Sequence, residues 1–150
     1  MLRYRETGEL HKDFHGALNT TVDYVVGKYG RDALREIFRR VGREVYRSIH
    51  AKLQAGDPSE LVEHLRHFYA REQADFRLTV ESDAIVLEVF QCPAVEHLRR
   101  LGITPSPCFC DQTIEVNAGL CENTPWTTAT EVLAPGRCRQ CFTRQMDETP

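Results

Sequence analysis

The first 91 residues of this 150-residue chain contain no cysteine, although the chain has six. No apolar run approaches the ~20 residues that a membrane-spanning helix requires, and Met1-Leu2-Arg3-Tyr4-Arg5 leads into no signal-peptide core. A clustered basic face with interleaved aromatics is missing, which argues against a nucleic-acid footprint. Arginines instead alternate along helices with glutamates, and the formal net charge is only -3, so the charged residues read as a solvated surface. Internal repeats and low-complexity stretches are absent. These absences predict a single domain over 1–150, long enough for a real core, with no membrane or nucleic-acid partner and a cytoplasmic location. In that compartment six cysteines are expected to be reduced, metal-bound or reactive rather than paired in three disulfides.

What is present is concentrated. Cys92, Cys108, Cys110, Cys121, Cys138 and Cys141 all fall between Phe90 and Phe142. Two of them sit where a helix is expected to start. Phe90-Gln91-Cys92-Pro93 ends an apolar run, and Pro93 suits a first helical position, where its missing N–H costs nothing. Ala94, Val95, Leu98 and Leu101 follow at helical spacing, with Gly102 as the stop. Pro107-Cys108-Phe109-Cys110-Asp111 is a second such entry, into a helix carrying Ile114, Ala118 and Leu120. Helix N-termini carry partial positive charge and unpaired N–H groups. A cysteine there tends towards the thiolate that attacks electrophiles or binds metal. The competing reading makes these thiols small buried hydrophobes.

The N-terminal part, 1–74, reads as helical support. Leu10, Phe14, Leu18, Val22, Val25 and Tyr29 form one apolar stripe, broken at Gly30. A second helix is predicted from about Arg31 to Gln54, with Leu34, Ile37, Phe38, Val41, Val45, Ile49 and Leu53 as its stripe. Its length offers a face for a homodimer or for packing within the chain. Asp57-Pro58-Ser59-Glu60 has the form of a third helix start, with Leu61, Leu65, Phe68 and Tyr69 buried. His11 and His15, four apart, share a helical face as a metal pair would, but no third ligand stands near and packing is the simpler role. The same holds for His64 and His67. The charge clusters Lys12/Asp13 and Arg39/Arg40 read as exposed helix faces.

The part from 75 to 145 reads as an α+β unit. Phe76, Leu78 and Val80 alternate with polar residues in a half-buried strand. Ser82-Asp83 turns the chain, and Ala84 to Phe90, apolar on both sides, is a central strand. The two short helices follow. Trp126 to Leu133 and Arg137 to Arg144 are two more strands around Ala134-Pro135-Gly136. Strand-strand-helix-helix-strand-strand implies an antiparallel sheet with helices packed on one face. On the last strand Cys138, Gln140 and Phe142 share a face and Cys141 takes the other. A four-thiolate zinc or iron–sulfur centre would combine Cys108, Cys110, Cys138 and Cys141, although a regular strand splays the last two sulfurs apart.

The series strand–Cys92-Pro93–helix, Phe109-Cys110, Gly119-Leu120 and Gly136-x-Cys138 with Phe142 resembles the L-2-amino-thiazoline-4-carboxylic acid hydrolase family, as does Tyr29-Gly30 before a long helix. The family is named for a bacterial enzyme that opens a thiazoline ring on the way to cysteine. The closing Gly-x-Cys pattern is also similar to four-vinyl-reductase-type ligand-binding domains, whose cysteines can hold a structural metal. The resemblance carries over to Cys92, Cys110 and Cys138. Where family members often place an aspartate after the second cysteine, this chain has Thr113, with Asp111 shifted; Cys108, Cys121 and Cys141 are additions.

Two functions follow as expectations. One is hydrolysis of a small cyclic amidine or thiazoline, which implies a small-molecule substrate and needs a nucleophile, a proton donor and donors for developing charge. Cys110 is the first choice of nucleophile and Cys92 the second, with Asp111 or His97 handling protons and Phe109, Trp126 and Phe142 as walls. This chemistry requires no cofactor. The other is a cysteine-lined sensor that binds a small molecule or a metal without turnover.

Overall fold

The computed structural model describes residues 12–146. His11 and Leu10 lie outside the described residues. Five helical segments run first: α1 (Asp13–Tyr29), α2 (Arg31–Arg40), a π-helical turn (Val41–Val45), α3 (Arg47–Gln54) and α4 (Ser59–Arg71). Strands β1 (Asp75–Val80) and β2 (Ala84–Gln91), helices α5 (Pro93–Arg100) and α6 (Asp111–Cys121), and strands β3 (Trp126–Ala134) and β4 (Arg137–Arg144) complete it. The architecture is the expected α+β arrangement. No described helix is long and apolar enough to cross a membrane.

The sheet is antiparallel throughout, in the order β1-β2-β4-β3. β2 is therefore central, as its two-sided apolar pattern predicts. Ile85, Leu87 and Val89 point inward with Gln140 and Phe142 of β4. They meet Ile49 and Leu53 of α3, Leu61 and Leu65 of α4 and Leu120 of α6, with Trp126 at the start of β3. A smaller cluster joins Val22, Leu34, Phe38 and Cys108. A third joins Ala94, Val95 and Leu98 to Phe109.

Two helical expectations need correction. The helix predicted from Arg31 to Gln54 is interrupted: a π-helical turn follows α2, and Tyr46 leaves helical geometry at φ -95°, ψ 32°. The interruption lies where this rod meets α6. A Cβ on Gly42 would come within 2.8 Å of the Leu120 nitrogen and closer still to the Val116 carbonyl oxygen. One on Gly119 would come within 3.0 Å of the Arg39 carbonyl carbon and overlap its oxygen. The two backbones touch, and only glycine permits it. On α1 the buried residues are His15, Asn19 and Val22, while Phe14 and Tyr29 of the predicted stripe face solvent. The polar pair is buried because both side chains have partners, described below.

Ion pairs reinforce the glycine contact. Arginines recur every four residues along the α2 rod, and α6 answers with acids. Arg31 donates from Nε and Nη2 to both oxygens of Asp111, each at 2.8 Å. Arg39 reaches Glu115 at 2.6 Å, with Arg35 at 3.8 Å from the other oxygen. Arg43 pairs with Glu122. Arg39 and Arg40 are both exposed, as expected, and Arg39 also neutralises a buried glutamate. Arg40 pairs with Glu44 one turn on.

Gly119→Ala and Gly42→Ala are each expected to destabilise the protein by about 1–3 kcal/mol, the usual cost of overpacking a closed contact. Gly16→Ala on α1, where an added Cβ meets nothing within 4 Å, is expected to be neutral or to stabilise by about 0.5–1 kcal/mol through helix propensity. Urea unfolding midpoints of the three variants check this ordering.

Candidate functional site

Three of the six cysteines converge on one cavity of about 50 Å³ between α4, α5, α6 and the sheet. Cys92 comes from the β2–α5 junction, Cys110 from the entry to α6, and Cys138 from β4. These are the three positions singled out by the family resemblance. Val89, Val95 and Phe109 supply apolar walls, and Tyr69, Gln112, Thr113, Thr130 and Arg137 the polar ones.

Each thiol is placed by a local device. The Cys92 backbone N–H donates to the Gly136 carbonyl at 2.8 Å, which bolts the end of β2 to the β3–β4 turn. Pro93 then opens α5 with Cys92 as its N-cap. Cys110 is held through the loop before α6. Asn19 on α1 accepts the Ser106 N–H at 2.7 Å and donates to the Thr104 carbonyl at 3.3 Å. Ser106 Oγ in turn accepts the Cys108 N–H at 3.2 Å. Cys138 faces inward beside Gln140, whose Nε2 lies 3.6 Å from its sulfur.

Beneath the cavity runs a buried amide network. Asn117 Nδ2 donates to Gln140 Oε1 at 2.9 Å and approaches Thr130 Oγ1 at 3.2 Å. Gln140 Nε2 donates to the Tyr69 hydroxyl at 3.0 Å. Tyr69 accepts that bond and so keeps its own proton for another partner. Burial pushes its pKa well above the ordinary phenol value. Tyr69 is thus a neutral hydrogen-bond donor on the cavity wall. Sequence reading placed it in the core; its only signal was a polar aromatic at the end of an apolar stripe.

Burial dominates the thiols as well. It pushes Cys110 up to about 11, with the neighbouring sulfurs of Cys92 and Cys138 adding to the shift. Cys138 is raised by burial and partly relieved by Gln140. Cys92 is raised by burial too, but the N–H groups of Val95 and Ala94 at the start of α5 oppose the shift. They face its sulfur without closing a capping hydrogen bond. Of the three, Cys92 is the thiol whose surroundings oppose burial most directly with backbone donors. The helix start therefore moderates the upward shift of Cys92 without reversing it. At Cys110 every influence raises the thiol.

The other predicted site residues lie elsewhere. Asp111 is buried, engaged at both oxygens by Arg31, and does not line the cavity. His97 lines a separate polar cavity on the far side of the Gln91–Pro93 segment. Cys108 is packed among Val22, Leu34 and Phe38. Cys141 lies on the outer face of the sheet, opposite Val86 and Ala129. The four-thiolate set Cys108, Cys110, Cys138 and Cys141 is therefore not assembled, because the strand pleat and the loop fold separate its members. Among the described residues, no group of three or more His, Cys, Asp or Glu side chains has the geometry to hold a metal ion. Phe109 lines the cavity as expected, whereas Trp126 and Phe142 belong to the main core. His64 is half-buried against Tyr46 and Phe68, in keeping with packing.

A second cavity of about 200 Å³ adjoins the first and shares Tyr69, Gln112 and Thr113 with it. Those three side chains are the partition between a small thiol-lined chamber and a larger one floored by Asn117 and Gln140. Comparison with protein-family models, with curated proteins and with solved structures finds no match to this chain.

The raised thiols make stability depend on alkaline pH. A folded pKa above the ordinary value of 9.0 means that the folded state holds the proton more tightly. That contribution is complete below pH 9 and is lost as pH rises through about 11 for Cys110 and about 12 for Cys121. Unfolding midpoints are expected to fall steeply above pH 9, and Cys110→Ala to show a shallower fall over pH 9–11.

Proposed function

We propose that the three-cysteine cavity is the working site and that the protein acts on a small cyclic amidine or thiazoline, opening a carbon–nitrogen or carbon–sulfur ring. The reading is supported by one observation above all: Cys92, Cys110 and Cys138, the positions shared with the thiazoline-carboxylate hydrolase family, come from three elements to one chamber.

On this reading Cys92 is the nucleophile and not Cys110, because helix N–H groups stabilise charge developing on its sulfur. The Cys92 sulfur adds to the ring carbon between nitrogen and sulfur, and its thiol proton passes to the ring nitrogen. The tetrahedral carbon then expels the ring sulfur as a thiol, the proton coming from the exocyclic amino group, and an isothiourea remains on Cys92. Water adds to that carbon and releases the carbamoyl product and the Cys92 thiol. Burial keeps Cys110, Cys138 and Tyr69 protonated, so they serve as neutral donors to the leaving group and to developing charge. Arg137, on the same wall, is the cation available to a substrate carboxylate. A cavity of roughly 150 Å³ is what a benzene-sized ligand occupies. A substituted ring therefore needs the Tyr69–Gln112–Thr113 partition to yield, joining the two chambers.

A second reading is favoured by what lines the chamber. Among the described residues no histidine or carboxylate faces it, and a thiol without a base is a better ligand than catalyst. On that reading the same three thiols hold a thiophilic small molecule without turnover.

Incubation with 2-aminothiazoline-4-carboxylate, followed by mass spectrometry of both protein and small molecule, separates the two. Ring-opened product, a transient adduct on Cys92 and a loss of roughly a hundredfold or more in Cys92→Ser support catalysis. Saturable protection of Cys92, Cys110 and Cys138 from alkylation without product supports binding alone. Neither product nor protection removes the thiazoline class from consideration.

A further inference from the structure

Directly behind Cys92 lies a polar cavity of about 110 Å³ that the proposed reaction does not use. Gln91 and Pro93, the residues on either side of Cys92, line it together with Glu72 and His97. Glu72 ends α4, and its side chain is fully enclosed, with 0% exposure. One carboxylate oxygen, Oε2, faces His15 Nε2 at 3.4 Å. The other, Oε1, is buried with no partner among the described residues.

The hydrogen-bond inventory fixes what is missing. Burial, which outweighs the attraction of Glu72, lowers the His15 pKa and favours the neutral ring. With Nε2–H directed at Glu72, Nδ1 of a neutral imidazole is an acceptor. It too is buried without a partner, and so is Nε2 of His97, whose ring centre lies 5.9 Å from that of His15. Among the described residues the cluster thus presents at least two enclosed acceptors with no donor hydrogen-bonded to them. Buried unpaired acceptors are costly, the more so on a carboxylate. The absent partner is a donor, and a positively charged donor pairs most strongly with a carboxylate. Among the described residues these side chains do not converge with metal-ligand geometry, which favours N–H donors over an ion. The other charges lining the cavity are Lys12, Glu96 and Arg100, and the last two pair with each other at 3.5 Å. An anion would have to sit against the enclosed carboxylate of Glu72.

We infer that this cavity binds a small organic cation carrying N–H donors, of the ammonium or amidinium class, with Glu72 as its anchor and His15 and His97 beside it. The inference is independent of the thiol chemistry.

The test titrates acetamidinium chloride into the full-length protein and follows the ring nitrogens of His15 and His97 by NMR. Tetramethylammonium chloride, a cation without N–H groups, and sodium phosphate serve as matched probes. Saturable shifts are expected with acetamidinium and not with tetramethylammonium, and binding about tenfold weaker or worse in Glu72→Gln. Equal responses to the two cations, or none to either, would mean that water alone fills the cavity and would overturn the inference. Saturation by phosphate would overturn it as well, in favour of an anion site using Lys12 and Arg100. Should Glu72→Gln fail to fold, the comparison of probes on the unaltered protein decides alone.

Discussion

The fold depends on one backbone contact. Gly42 in the π-helical turn and Gly119 in α6 bring two helical backbones to a separation that no Cβ allows. Helix α6 could not otherwise lie this close to the N-terminal rod. That position in turn sets Cys110 at its start, Asn117 at its middle and Leu120 over the sheet. The arginine–acid ladder has a different role. Asp111 and Glu115 are buried carboxylates and would be costly without partners; Arg31, Arg35 and Arg39 keep their guanidinium groups half in water while neutralising them. Exposed ion pairs add little net stability. Their value here is compensation: each buried carboxylate at the start of α6 meets a cation of the α2 rod.

That arrangement explains why the cavity is both chemically rich and quiet. Enclosing three thiols between helices and sheet removes them from water, and desolvation is the largest influence on each. Proximity of the sulfurs works in the same direction, since ionising one makes ionising the next harder. Only Cys92 has opposing backbone donors, because only Cys92 begins a helix with Pro93 in the first turn. On the proposed reading, activation of the Cys92 thiol would rest on helix geometry and ligand charge rather than on a neighbouring base. On the same reading, a bound cationic amidine would lower the cost of a thiolate beside it.

The sequence was most legible where one period dominates. The four strands, the two short helices and the turn at Pro135-Gly136 follow from alternation, Pro93 and glycine punctuation, and the structure has them within a residue or two. The facing of Cys138 and Cys141 followed from the pleat alone. Legibility failed where tertiary partners override local pattern. In the Arg31–Gln54 stretch the break is marked only by Gly42, whose partner in the close contact, Gly119, lies far along the chain. His15 and Asn19 are buried on α1 because Glu72 and the 104–106 loop meet them, and Phe14 is left outside. Asp111 resembled a proton carrier by adjacency to Cys110, yet adjacent residues on a helix diverge in direction, and this one turns to Arg31. A spacing of four along Arg31, Arg35, Arg39 and Arg43, set against Asp111, Glu115 and Glu122, was visible as a pattern; its meaning required knowing that the two helices touch.

The Gln91–Cys92–Pro93 segment is a thin wall between two unlike chambers. One side presents soft, neutral thiols and a phenol donor; the other is lined by the Glu72 carboxylate and the His97 imidazole. Charge on either side is felt through the wall: the Glu72 carboxylate opposes ionisation of Cys92. A cation held by Glu72 would cancel that opposition and leave burial alone against the N–H groups of Ala94 and Val95. Coupling between two sites requires only that occupation of one change the free energy of a charge state at the other. Here the connecting element is a single residue whose backbone is bolted at 2.8 Å to Gly136 and whose neighbours line the second chamber. The charge state of the Cys92 sulfur is therefore weighed by groups on both sides of this segment, the Glu72 carboxylate against ionisation and the N–H groups of Ala94 and Val95 for it.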